Sequence, residues 1–355
     1  LGAVEKLAKP LRRDLGAADS EAVSQAVGET FTTSTVEAVK AYSQAQEQAF
    51  SGNYQQASAL YRKTIQMDPD FGRAYAGLGV VYFNLGDQGE SERYFQAAFQ
   101  RLNRMTDREK LRTQGGYYLA KGDQDQAIAI YQELTQKYPA DSAAHANLSV
   151  AYQRSRNAEG ALRQGKKAIE IYPNNVSQIN NVASFAICAG KFEEARQYAE
   201  RSRKLNPNYV KAHLTTALAE LLLGDRAKCE AAYRELQKIV APGPWLAALG
   251  LADLAMVEGR FGEAVSELEQ ILKVEKGLNG QMVAVTKILM GSAQVAGGQA
   301  AAAVGTLGEA ASALNDPERL AMVGHLLARA NSPSKALAVA AQLEKGNRKQ
   351  AEAYA

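Results

Sequence analysis

Short apolar stripes of helical period alternate with polar turns along this chain, and a recurring glycine marks the turns: Gly52, Gly86, Gly122, Gly190, Gly224, Gly259 and Gly298. Their spacings are close to 34 residues or a multiple of it, which is the signature of a repeat array. Five residues after each glycine stands a small side chain: Ala57, Ser91, Ala127, Ala195, Cys229, Ala264 and Ala303. Four further on there is usually an aromatic or a leucine, as at Tyr61, Phe95, Tyr131, Tyr233, Leu268 and Leu307. Prolines at 69, 139, 173 and 207 close four of the units. Each position has a task in a helix-turn-helix unit. The glycine ends the first helix in a left-handed conformation. The small residue lets the second helix approach, and the bulky one fills the space one turn later. Helices of about a dozen residues are marginal alone in water, so such units are stable only as a stack.

This glycine, small residue, aromatic and proline pattern resembles the tetratricopeptide repeat. The resemblance implies an all-α, right-handed superhelical solenoid of about nine helix-turn-helix repeats. Units are laid out at 38–71, 72–105, 108–141, 142–175, 176–209, 210–243, 245–278, 284–317 and 318–345. The second carries most of the pattern in Leu78, Gly79, Tyr82, Gly86, Phe95 and Ala98, whereas the fourth has Arg156 where glycine is usual. The expected organisation is an N-terminal helix and connector at 1–37, six well-defined repeats at 38–243, three divergent ones at 244–345, and the start of a capping helix at 346–355. Residues 1–16 read as an amphipathic helix, and Ser34 to Glu37 has capping-box spacing. The connector, the opening of the first unit and the segment from Arg104 to Leu111 resemble the C-terminal repeat regions of bacterial eukaryotic-like serine/threonine kinases and related signalling proteins. That resemblance implies a regulatory or sensory part of a larger protein, extracytoplasmic (periplasmic) in preference to cytoplasmic.

Composition narrows the function classes. The 355 residues, 46% of them hydrophobic, can bury a long core, and the scarcity of alternating β-branched runs argues against a sheet. Lys and Arg total 41 against 38 Asp and Glu, a net charge of +3, so a strong field for nucleic acid is not expected. The densest basic cluster, Arg154, Arg156, Arg163, Lys166 and Lys167, reads as a solvated helix face, with an acidic-ligand contact as the alternative. No phosphate-cradling loop, nucleophile elbow or paired histidine motif occurs, so an enzyme, a cofactor and a metal site are not expected. His145, His213 and His325 lie in three different units, and Cys188 and Cys229 read as small packing residues. No apolar run is long enough to span a bilayer.

The solenoid implied by the resemblance presents a concave groove lined by the first helix of every unit. The sixth position of successive units reads Ser43, Gly77, Thr113, Asn147, Asn181 and Thr215. Such a ladder can hold the amide groups of an extended peptide, or serve only the close approach of neighbouring helices. Around it, Tyr42, Phe50, Arg73, Phe83, Asn84, Arg112, Arg154 and Asn180 are expected to face the groove, together with Asn147 and Asn181. Tyr42, Gln46 and Gly77 stand where a chaperone-tail clamp needs lysine and asparagine, which disfavours that ligand. Three readings follow: a scaffold for a protein or extended peptide; a self-association module docking through Ala300 to Ala303, Ala310 and Ala311; and a carrier of a linked enzyme's substrate.

Overall fold

The computed structural model describes residues 32–354 except 34 and 315, with side chains to residue 345. The helix expected at 1–16 lies outside the described residues. Among the described residues the chain is all-α, with eighteen α-helices, one 3-10 turn and no strand. It divides between Gly224 and Asp225 into two units.

Unit 1 contains five helix pairs and one further first helix. These are α1 (Val36–Phe50) and α2 (Tyr54–Met67), α3 (Gly72–Leu85) and α4 (Gln88–Phe99), α5 (Asp107–Lys121) and α6 (Gln124–Lys137), α7 (Ser142–Arg154) and α8 (Ala158–Ile171), α9 (Val176–Cys188) and α10 (Phe192–Leu205), then α11 (Val210–Leu222). Unit 2 begins with α12 (Arg226–Leu236). Three pairs follow: α13 (Gly243–Val257) and α14 (Phe261–Val274), α15 (Gly280–Ala296) and α16 (Ala300–Ser312), α17 (Pro317–Arg329) and α18 (Pro333–Tyr354).

The division falls inside the sixth repeat, earlier than the boundary at 243 that the sequence suggests. In unit 2, α12 packs on α13: the Tyr233 ring lies so close to Gly250 that a Cβ there would collide with it. Residues 346–354 continue α18 and do not open a separate capping helix. At the other end, α1 is capped by Thr35, whose Oγ1 accepts from the Ala38 N–H at 3.1 Å; Ser34, the start of the expected capping box, lies outside the described residues. A complete capping box forms instead at Thr106 and Glu109, ahead of α5.

The repeat residues do what their spacing requires. All seven small residues that follow the glycines, from Ala57 to Ala303, are fully buried. Tyr61, Phe95, Tyr131, Leu268 and Leu307 are buried beside them, and Tyr233 is half-buried. The recurring glycines hold φ between +72° and +83°, the left-handed region that a Cβ disfavours. In the fourth repeat Arg156 takes that conformation at φ 61°, bonding its N–H to the Gln153 carbonyl. His145 and His213 are packing residues: an Nε2 atom of each lies 2.9 and 2.8 Å from the carbonyl oxygens of Pro139 and Pro207. Among the described residues no cluster of His, Cys, Asp and Glu could hold a metal ion, and no helix is long and apolar enough to cross a membrane. Cys229 is buried as expected of a packing residue, but Cys188, at the end of α9, is exposed. Of the alanines expected to dock another copy, Ala303, Ala310 and Ala311 belong to the core of unit 2, whereas Ala300, Ala301 and Ala302 are exposed on α16.

Arg156→Gly relieves the left-handed strain and is expected to raise stability by up to about 1 kcal/mol, whereas Gly122→Ala is expected to lower it by about 1–2 kcal/mol. Urea denaturation midpoints of the two variants check both signs.

Candidate partner-binding face

In unit 1 the first helices present residues two, six, nine and thirteen of each repeat as a stripe, since side chains three or four apart share a helix face. On α3 the stripe reads Arg73, Gly77, Val80 and Asn84; on α7, Ala143, Asn147, Val150 and Arg154; on α11, Lys211, Thr215, Leu218 and Leu222. Val80, Leu218 and Leu222 are 36%, 43% and 41% exposed, unusual for large apolar side chains on a packed helix. Arg154, Lys211 and Cys188 are exposed on the same stripes. The inner face therefore mixes open apolar positions with cationic ones.

The residues expected to face the groove separate into two groups. Tyr42 and Asn180 are corrections: both are buried, Tyr42 with its ring against Tyr61 and Phe71 at centroid distances of 5.6 and 4.9 Å. They belong to the interior because the units pack more tightly around them than the position pattern implies. Phe50, Arg73, Phe83, Asn84, Asn147 and Asn181 are half-buried, and Arg154 is exposed. Arg73 reaches from α3 to Thr113 Oγ1 on α5, at 3.3 Å, and to the Tyr42 hydroxyl on α1, at 3.5 Å. Arg154 stacks on the Phe83 ring, 4.4 Å from its centroid, and donates to the Leu119 carbonyl at 3.2 Å. Asn84 donates to the Val80 carbonyl of its own helix. The ladder at position six includes close-approach sites: a Cβ on Gly77 would sit 2.5 Å from the Tyr61 ring, and Asn147 lies beside the Tyr131 hydroxyl. Burial pushes that phenol well up, while Arg73 and Asn147 pull it back.

Arg112 is drawn into a buried ion cluster. Its Nε donates to Asp141 Oδ2 at 2.7 Å, and Arg108 Nε donates to the same oxygen at 2.8 Å. The Asp141 side chain has no exposure, and those of Arg112 and Arg108 retain 9% and 17%. Its other oxygen caps α7 by accepting from the Ala144 N–H at 2.9 Å. Burial pushes the Asp141 carboxyl up, but the two guanidinium groups outweigh it and hold it well below the usual carboxylate range.

Unit 1 also closes on itself. The turn between α1 and α2 seats against residues more than 120 positions later: Asn206 donates to the Ser51 carbonyl at 3.3 Å, and the Phe50 ring lies 6.3 Å from that of Tyr172. Tyr209 is hydrogen-bonded to Tyr54, and a Cβ on Gly52 would stand 2.7 Å from the Tyr209 ring. Glycine at 52 thus serves both a left-handed turn and a close approach.

Comparison with known proteins agrees with this architecture. The family described as tetratricopeptide repeat matches residues 42–102, 112–176 and 188–244, together more than half of the chain. The chain belongs to the tetratricopeptide repeat family. Superkiller complex protein 3 of Homo sapiens is 26% identical over 178 residues, 48% of this chain and 11% of that protein. DnaJ homolog subfamily C member 7 of Mus musculus is 33% identical over 88 residues, 24% of this chain and 18% of that protein. The chain thus spans only a small part of the length of these curated relatives. Among solved structures, a tetratricopeptide repeat protein from Parabacteroides merdae aligns with a TM-score of 0.51 at 18% identity, covering 73% of this chain and 98% of that one. The human IFIT1 dimer with m7Gppp-AAAA aligns at 0.56 and 15% identity, covering 87% and 72%. At these identities the likeness is one of fold.

As a tetratricopeptide repeat protein the chain is a scaffold of a protein-binding, generally non-catalytic kind. Sequence reasoning found Arg112 but missed its partners. The usable signal was spacing: Arg108 and Asp141 are 33 residues apart, close to one repeat, which places them side by side at the starts of successive first helices, α5 and α7. No comparable signal exists for the contact of Tyr54 with Tyr209, which depends on how the stack curves.

Asp141→Asn leaves two largely buried guanidinium groups without their counter-charge and is expected to cost about 3 kcal/mol at neutral pH. Because the folded carboxyl is held below its unfolded value of 3.8, its contribution is complete above that value and is lost as pH falls through the lower folded one. Acid denaturation of the two proteins should therefore converge below pH 3.8. Tyr209→Ala is expected to speed amide exchange at residues 50–54 by about tenfold while leaving α5 to α7 unchanged. Exchange mass spectrometry reads both regions.

Proposed function

We propose that the chain is a non-catalytic scaffold whose unit 1 takes an acidic, extended segment of a partner protein on its inner face, as the regulatory or sensory part of a larger signalling protein. One observation carries this reading: the inner stripes of unit 1 combine Arg73 with the exposed Val80 on α3, Arg154 on α7, and Lys211 with the exposed Leu218 and Leu222 on α11. Arginine beside open apolar positions is the composition of an interface anchor, and its charge selects carboxylates. Asn84, Asn147 and Asn181 supply amide groups along the path that can meet a peptide backbone. Phe50 and Phe83 border it as half-buried rings. Arg112 acts through the local field because Asp141 holds its guanidinium.

The alternatives have less support. Self-association through the alanine-rich helices keeps only Ala300, Ala301 and Ala302 as exposed residues, since Ala303, Ala310 and Ala311 are in the core. A substrate carrier relied on an asparagine row that Gly77 and Thr113 interrupt.

An array of immobilised peptides spanning acidic, neutral and basic sequences tests the reading. Acidic peptides with interspersed leucine or phenylalanine should be retained, and Arg154→Glu should weaken the best of them by about tenfold, or about 1.4 kcal/mol. Retention indifferent to peptide charge would sink the proposal.

A further inference from the structure

Two threonines ahead of α1 tie the chain to unit 1. Thr32 lies on Glu109, the second residue of the α5 repeat and part of its inner stripe: the Thr32 hydroxyl donates to Glu109 Oε2 at 2.9 Å and its N–H to Oε1 at 3.4 Å. Thr33 donates to Asp68 Oδ2 at 2.6 Å, just ahead of α3. The chain therefore crosses the start of α3 and reaches the rim of the inner face one helical turn from Arg112, with Arg73 bonded to Thr113 one turn along. What lies upstream is complementary to that face. Residues 14–31 carry Asp14, Asp19, Glu21 and Glu29 with no Lys or Arg, and Val23, Val27 and Phe31 recur every fourth position. Four carboxylates and an apolar stripe match a face that offers arginines together with exposed Val80, Leu218 and Leu222. Tethered at Thr32, the segment has the high effective concentration of an intramolecular ligand.

We propose that the acidic connector, residues 14–31, occupies the inner face of unit 1 of its own chain and competes there with an outside partner. The inference rests on the reading of that face as a site for acidic segments. It makes the connector a built-in competitor, so that a partner binds only with the affinity left by the fraction of open molecules.

Distance measurement in the full chain tests this without any outside ligand. Ser24→Cys adds a labelling site on the connector, and the native Cys188 is an exposed thiol on the inner stripe of α9, while Cys229 is buried. Paired spin labels at positions 24 and 188 should give one narrow distance distribution. It should broaden in the variant carrying Asp14→Asn, Asp19→Asn, Glu21→Gln and Glu29→Gln, which should also bind an external acidic peptide about tenfold more tightly. A broad distribution with the native connector overturns the inference, and so does a narrow one that survives neutralisation, because charge would then not hold the segment. A narrow, charge-dependent distance with no binding of external peptide would locate the failure in the proposed function alone. Peptide binding alongside a broad distance would overturn the inference alone.

Discussion

All but two of the described helices are 15 residues or shorter and marginal by themselves, so the structure depends on how closely each second helix can lie against the first helices on either side. That closeness is set by bulky side chains meeting missing ones. Tyr61 lies on Gly77, Phe95 on Gly79 and Gly116, Tyr131 on Gly115, and Leu307 on Gly291. At each contact a single added Cβ would force the ring or branched chain away. Because these contacts link neighbouring repeats as well as the two helices of one repeat, they set the curvature of the stack as well as its cohesion. The same interaction recurs in unit 2, where Tyr233 of α12 lies on Gly250 of α13.

Curvature in turn decides which inner-face residues remain available. In unit 1 the stack turns tightly enough for the α1–α2 turn to reach Tyr172, Asn206 and Tyr209, and for Arg73 to touch helices on both sides of its own. Arg112 and Asp141 are not an exposed ion pair, which would be worth little. Buried as they are, with Asp141 also capping α7, they fix the packing of α5 against α7. Cationic groups are thereby divided between those that hold the fold, Arg108 and Arg112, and those still open to a ligand, of which Arg154 is the clearest.

An inner face of this kind offers a partner both charge and apolar contact along the stripes of several helices. In the proposed function its selectivity would come from a few arginines set among open Val and Leu positions, a means of distinguishing acidic amphipathic segments from neutral ones. The tie of Thr32 and Thr33 to Glu109 and Asp68 brings the chain's own acidic stretch within reach of that face.

Much of this was determined by sequence alone. The glycine period specifies helix ends, the small residue and the aromatic specify which sides of the helices meet, and these local demands hold in any environment. Even the exception was legible: Arg156 stands where the pattern asks for glycine and adopts the left-handed conformation regardless. Tertiary structure decided what depends on summed curvature, to which each repeat adds a small rotation that no single residue reveals. It sent Tyr42 and Asn180 inward, left Cys188 exposed, paired Arg112 with Asp141, and joined Tyr54 to Tyr209 across 155 residues of chain. Position within a repeat is a local property, while exposure to a ligand is a property of the whole turn of the stack.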